Sequence, residues 1–137
     1  MNLPEIEAQV IELVKKVGTY IQGEKNSQLT IRNKDLHDFV THVDIESERL
    51  LKEDLRKILP KASFLAEETE HAAFGNGLQW IIDPIDGTTN YIHSVPAYAI
   101  SIALALNGES ILGVVYNIPQ NKLYHTTFTS CGRKSRI

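Results

Sequence analysis

Apolar residues recur every three or four positions along the first part of the chain, which is the spacing of one helix face. The first such segment runs from Leu3 to Gln22, and Gly23 is its predicted end. The second runs from Ile45 to Leu59, with Asp44 at the N-cap position and Pro60 blocking further helix. The pattern therefore predicts two amphipathic helices.

Shorter apolar runs follow the second helix and are typical of strands. The predicted strands are Ala62 to Ala66, Gln79 to Ile82, Tyr98 to Leu106, Ile111 to Tyr116 and Lys122 to Phe128. Asn107-Gly108 is a strong hairpin signal, and Pro119-Gln120-Asn121 is a second turn. Two helices followed by hairpin-linked strands predict an α+β fold, in which the helices pack on a mainly antiparallel sheet.

Three further segments complete this organisation. Gln28 to Arg32 is read as a short strand, and Asn33 to Asp44 as a polar loop between the helices. Residues 129–137 are polar and basic, so we expect a flexible or aberrant tail after a domain that spans residues 1–128.

Composition and charge narrow the function classes. The chain has 137 residues, of which 42% are hydrophobic, so one domain with a sizeable core is expected. The net charge of -3 argues against nucleic acid as the main partner, because proteins that bind a phosphate backbone usually carry a basic surface. A small phosphorylated substrate stays possible, since a bound metal ion can supply local positive charge.

The single cysteine, Cys131, cannot form an intrachain disulfide, which fits a reducing compartment. The N-terminus lacks the basic start and apolar run of a signal peptide. The apolar runs are also shorter than the roughly 18 to 20 residues that a membrane span needs. We therefore expect a cytoplasmic protein with no membrane partner.

Two acids three residues apart carry the first chemical signal. Asp83 and Asp86 follow a predicted strand, and Pro84 and Gly87 suit a turn at this point. Such a turn can direct both carboxylates and the carbonyl of Ile85 toward one point. Hard divalent cations prefer oxygen ligands of this kind, so the segment is a candidate metal site.

The residues that follow suit the start of a helix. Thr88, Thr89 and Asn90 come directly after Gly87. Free backbone N–H groups at a helix start can bind phosphate. One short segment could therefore offer acids to a metal and amides to a phosphate.

Other acids lie at the ends of separate elements. Glu67 and Glu68 follow a predicted strand, and alternation of side chains should direct only one of them toward Asp83. Asp44 precedes the second helix. Taken singly, each has an ordinary interpretation: Asp-x-x-Asp is usually a turn, a pair of glutamates a solvated face, and Asp44 an N-cap. Only the whole segment from Asp83 to Asn90 is specific enough to favour a functional site over these ordinary interpretations.

Three segments of the sequence together resemble a known family. Trp80-Ile81-Ile82-Asp83-Pro84-Ile85-Asp86-Gly87-Thr88-Thr89-Asn90-Tyr91-Ile92-His93 is similar to the first signature of the inositol monophosphatases. Asp38-Phe39-Val40-Thr41-His42-Val43-Asp44 resembles their Asp-x-Val-Thr-x-x-Asp element, and Ala66-Glu67-Glu68 their Gly-Glu-Glu element. Order and spacing match too, from about residue 5 to residue 128. The resemblance implies the N-terminal half of an αβαβα sandwich.

The resemblance also implies roles for individual residues. Metal ligands for Mg²⁺ would be Glu67, Asp83, Asp86 and the carbonyl of Ile85. Catalysis by a metal-activated water would involve Thr88, Asp44 and Glu67. Substrate contacts would come from Asp86, Gly87 and Thr88. Lithium sensitivity and homodimerisation are implied as family traits.

The implied activity is hydrolysis of inositol monophosphate or a similar small sugar phosphate. Thr89-Asn90 favours this branch over nucleotide-bisphosphate phosphatases, which tend to have Lys-Glu there. Phosphatases of fructose bisphosphate, histidinol phosphate or NADP share much of the motif, so the substrate stays open.

The second half of the family's pattern, with its Trp-Asp-x-Ala element, is absent. The alternative interpretation is therefore a truncated, catalytically inactive fragment that binds metal or dimerises.

Overall fold

Two long helices form one layer of the structure, a computed structural model that describes residues 1–28, 35–66, 77–129 and 132–136. Helix α1 spans Leu3–Gln28, and the side chain of Asn2 caps it by accepting a hydrogen bond from the Glu5 N–H at 3.1 Å. The predicted end at Gly23 is wrong, because a helical glycine costs only about 1 kcal/mol relative to alanine and tertiary contacts offset it. In the described part of the chain, no helix is both long and apolar enough to cross a membrane.

Helix α2 spans Leu36–Ile58, so it begins well before the predicted start. Asp35 is the N-cap residue, and Asp44 lies inside the helix instead of capping it. The polar loop predicted up to Asp44 is wrong from Leu36 onward, because Val40 and Val43 continue the buried face of the helix toward its N-terminus. The predicted end beside Pro60 is confirmed to within one residue.

In the described part of the chain, six strands form one sheet in sequence order. They are β1 (Ser63–Ala66), β2 (Leu78–Asp86), β3 (Ala99–Leu106), β4 (Glu109–Asn117), β5 (Lys122–Thr129) and β6 (Gly132–Arg136), with the short helix α3 (Thr88–Ile92) between β2 and β3. Strands β1 and β2 pair in parallel and all later neighbours are antiparallel. The predicted α+β class, with helices packed on a mainly antiparallel sheet, is confirmed.

Two predicted features fall partly outside this description. Gln28 belongs to helix α1, and the rest of the strand predicted up to Arg32 lies outside the described residues. At the other end, residues 132–136 form strand β6, where the sequence suggested a flexible or aberrant tail. Cys131 lies outside the described residues.

The hairpin between β3 and β4 follows from its two central residues. Asn107 has φ 51° and Gly108 has φ 85°, the left-handed pair that a tight two-residue turn needs. Asn121 has φ 50° in the turn before β5, where its side chain accepts a hydrogen bond from the Tyr116 hydroxyl at 2.7 Å. Both predicted turns are confirmed.

The hydrophobic core lies between the two long helices and one face of the sheet. Its largest fully buried side chains include Trp80, Tyr91, Ile21, Leu51, Leu55, Ile100, Ile102, Leu104 and Leu112. The opposite face carries a row of half-buried residues in register across four strands: Ile81, Ala103, Gly113 and Thr126. Helix α2 contacts both β2 and α3.

Candidate active site

A β-bulge separates the two acids that the sequence singled out. Asp83 pairs with Ser101 and Asp86 pairs with Ala99, so β2 contains one more residue than β3 over this stretch. The sequence predicted a turn here, whereas the strand continues to Asp86 and absorbs the extra residue as an irregularity. Pro84 suits this position, because a residue without an N–H group interrupts a regular ladder.

The bulge changes which side chains reach solvent. Residues three apart in a regular strand point to opposite faces. Here Pro84 and Ile85 are both buried, while Asp83 is half-buried and Asp86 is exposed. Across the extra residue, the chain thus leaves a half-buried and an exposed carboxylate on either side of two buried apolar residues.

Gly87 makes the connection from β2 into α3 possible. Its φ of 94° lies in the left-handed region, and a Cβ at this position would lie 2.8 Å from the carbonyl oxygen of Ala97. The Gly87 carbonyl accepts a hydrogen bond from the Tyr91 N–H at 3.0 Å, which starts helix α3. Thr88 is the first residue of that helix and is half-buried, so the predicted helix start is confirmed.

Helix α3 is fixed by contacts of its side chains. The Tyr91 hydroxyl donates to the carbonyl of Ile21 in α1 at 3.1 Å, and the Tyr91 ring meets the edge of the Tyr98 ring with centroids 5.0 Å apart. The Asn90 amide donates to the carbonyl of Ala97 at 2.7 Å. Burial raises the pKa of the Tyr91 hydroxyl, so it stays a neutral donor.

Asp44 lies on the buried face of α2, among polar residues that sequence reasoning missed. Ser47, Glu48 and Lys52 are also buried on this face. Lys52 Nζ lies 3.8 Å from a Glu48 carboxylate oxygen and 5.6 Å from the centre of the Phe64 ring. The four-residue spacing of Glu48 and Lys52 was the available signal, because such pairs meet on a helix surface.

Two of the predicted residues, Glu67 and Glu68, lie outside the described residues. The nearby histidines His42 and His93 are exposed. Asp83, Asp86, Gly87 and Thr88 are near neighbours in the chain, and helix α2, which carries Asp44, contacts both β2 and α3.

The donor atoms present have the chemistry that a hard divalent cation prefers. Asp83 and Asp86 supply carboxylates, and Ile85 supplies a backbone carbonyl. Residues 1–28, 35–66, 77–129 and 132–136 alone assemble no group of three or more His, Cys, Asp or Glu side chains suited to a metal. The described donors thus fit part of a metal site, and a further ligand would have to come from elsewhere, such as Glu67.

Comparison with known proteins gives consistent matches. The sequence profile described as "Inositol monophosphatase family" matches residues 2–133. The chain is 41% identical to an inositol-1-monophosphatase of Rhizobium meliloti over 84% of its length, which is 44% of that protein. It is 34% identical to the Nus factor SuhB of Escherichia coli over 85% of its length, which is 45% of that protein.

Structural comparison agrees. An inositol monophosphatase from Anabaena (Nostoc) sp. PCC 7120 superposes with a TM-score of 0.78 and 32% identity, covering 98% of this chain and 48% of the other. The chain thus spans about half the length of the relatives that it matches.

Proposed function

This chain belongs to the inositol monophosphatase family, and from that premise we propose that its site hydrolyses inositol monophosphate or a similar small sugar phosphate. The family is one of phosphatases, and the substrate of this member is our inference. The observation that carries the proposal is the continuous segment Asp83 to Thr88, in which a bulge places a half-buried and an exposed carboxylate directly before a left-handed glycine and a helix start.

Mg²⁺ is the proposed cofactor, held by Glu67, Asp83, Asp86 and the carbonyl of Ile85. When bound, such an ion supplies positive charge that stabilises the attacking and leaving oxygens of a phosphate ester. The half-buried position of Asp83 supports this assignment, because a partly desolvated carboxylate gains from a nearby cation.

The protein's own groups would position the phosphate and move one proton. The N–H groups of Gly87 and Thr88 would hold phosphate oxygens, with Asp86 also contacting the substrate. The Thr88 hydroxyl would take part in deprotonating the attacking water together with the Asp44 carboxylate, and Glu67 would assist. A bond would form between the water oxygen and phosphorus, the ester bond to the sugar oxygen would break, and the leaving sugar oxygen would take up a proton. General-base assistance of this kind contributes roughly 10²- to 10⁴-fold to rate.

The same family membership supports further expectations about the whole protein. We propose that residues 1–128 act as its metal-binding α+β domain, that the full-length protein forms a homodimer, that it works in the cytoplasm, and that lithium inhibits it. A small phosphorylated molecule, and not nucleic acid or a membrane, is the proposed partner.

A second candidate function is a metal-binding or dimerising fragment without turnover. The specific observation in its favour is that the described residues supply only part of a metal site. It predicts that Mg²⁺ binds weakly and that no phosphate ester is hydrolysed.

A substrate panel with a pair of Thr88 variants tests the proposal. Release of phosphate from inositol monophosphate, fructose bisphosphate and an adenosine bisphosphate is measured with and without Mg²⁺ and Li⁺. We expect Mg²⁺-dependent, Li⁺-sensitive turnover of the inositol ester first. Thr88→Ala should lower kcat by about 10²-fold or more, and Thr88→Ser, which keeps the hydroxyl, should retain most of it. If Thr88→Ala keeps the kcat of the parent chain and of Thr88→Ser, the Thr88 hydroxyl takes no part in catalysis.

A further inference from the structure

Helix α3 is too short to hold its own position. It has five residues, whereas isolated helices shorter than about 12 to 15 residues are marginal in water. Its position must therefore come from contacts with other elements. Because Thr88 is its first residue, whatever fixes α3 also fixes the Thr88 hydroxyl.

The last turns of α1 supply these contacts. The Tyr91 hydroxyl donates to the Ile21 carbonyl, and Gln22 accepts a 2.5 Å hydrogen bond from the hydroxyl of Tyr98, whose ring packs against Tyr91. One more turn of helix brings Lys25 to the same place.

Lys25 makes two different contacts with one residue of α3. Its ammonium lies 4.4 Å from the centre of the Tyr91 ring, and it donates a hydrogen bond to the Tyr91 carbonyl. The ring contact is a cation–π interaction, which strengthens when the cation is partly removed from water. Lys25 is half-buried, and this burial lowers the pKa of its ammonium. The positive charge also lies at the C-terminal end of α3, where exposed carbonyls favour a cation.

We propose that Lys25 is a positioning residue, which fixes helix α3 against the end of α1 and thereby sets the place of Thr88. The effect of this role on catalysis rests on the proposed phosphatase function. Docking of α3 is a property of the fold and can be measured whether or not the chain turns over a substrate.

Hydrogen exchange in the intact chain measures the docking directly. The comparison uses Lys25→Met, which keeps most of the unbranched side chain but removes its charge, and Lys25→Arg, which keeps the charge and a donor. Lys15→Met is the matched control, because Lys15 is exposed on the same helix. We expect Lys25→Met to speed amide exchange in residues 87–93 about tenfold, with Lys25→Arg recovering most of the protection and Lys15→Met leaving it unchanged.

Residues 99–106 of β3 serve as the reference for global stability. If Lys25→Met speeds exchange in β3 as much as in α3, Lys25 is a general stability residue and the positioning role is wrong. Unchanged exchange in α3 would also overturn it.

Kinetics separate this proposal from the proposed function. If the parent chain hydrolyses inositol monophosphate, Lys25→Met should lower kcat by about tenfold with a smaller change in KM, and Lys25→Arg should restore kcat. An unchanged kcat would overturn the link to Thr88. If the parent chain shows no hydrolysis, the proposed function fails, while the exchange data still decide whether Lys25 docks α3.

Discussion

Replacing Gly87 with alanine should destabilise the chain through two separate effects. The φ of 94° places alanine in a left-handed conformation, which costs about 1–2 kcal/mol for a residue with a Cβ. The new methyl group would also lie 2.8 Å from the Ala97 carbonyl oxygen, and backbone overpacking of this kind costs typically 1–3 kcal/mol. We expect a total loss of about 3 kcal/mol.

Two other glycines separate these effects. Gly108 also has a positive φ, 85°, but nothing lies within 4 Å of its Cβ position, so alanine should cost only the conformational part, about 1–2 kcal/mol. Gly23 lies in helix α1 with nothing within 4 Å, so alanine should stabilise by about 0.5–1 kcal/mol.

Urea denaturation of the three variants, followed by circular dichroism, gives the free energy of unfolding for each. The expected order of stability is Gly23→Ala, parent, Gly108→Ala and Gly87→Ala. Refutation would come from a Gly87→Ala chain at least as stable as Gly108→Ala, because the close approach of Ala97 would then contribute nothing. Phosphatase activity of Gly87→Ala should fall as well, since the change displaces the start of α3.

Two further predictions concern the contacts that hold α3. Tyr91→Phe removes the hydrogen bond to the Ile21 carbonyl and should lower the free energy of unfolding by about 1 kcal/mol, with a loss below a few tenths counting against the contact. Burial raises the pKa values of Tyr91 and Tyr98, so above about pH 10 the unfolded chain loses protons that the folded chain retains. These two hydroxyls should therefore leave the free energy of unfolding unchanged below about pH 10 and lower it as the pH rises further. The fall should be less steep in Tyr91→Phe. Urea titrations that show no such fall would contradict the burial of these hydroxyls.

Local signals predicted a large part of the fold. The apolar periodicity of α1 and the Asn107-Gly108 turn are properties of neighbouring residues, so the sequence alone identifies them. Gly23 was misread as a stop, because the contacts of Gln22 and Lys25 with distant aromatic residues extend the helix. Such contacts join segments far apart in the chain and leave no local pattern.

The candidate site was also predictable from local patterns only in part. Its residue types were identified from the segment Asp83 to Asn90, but the bulge between the two acids depends on pairing with β3. Asp44 was assigned to an N-cap because aspartate favours that position, whereas burial of Val40 and Val43 carries the helix past it. The contribution of Glu67 stays a prediction, since that residue lies outside the described segments.

The most direct test of the proposed phosphatase site is hydrolysis of inositol monophosphate by this chain and two matched variants. Asp86→Asn changes an exposed acid of the proposed metal site. Asp54→Asn changes an acid of α2 that forms an ion pair with Lys16 of α1. The account predicts Mg²⁺-dependent hydrolysis by the parent chain, a loss of about 10²-fold or more in Asp86→Asn, and no change in Asp54→Asn. Hydrolysis that survives Asp86→Asn would contradict the assigned site, and a parent chain without hydrolysis would contradict the proposed activity in favour of the inactive fragment.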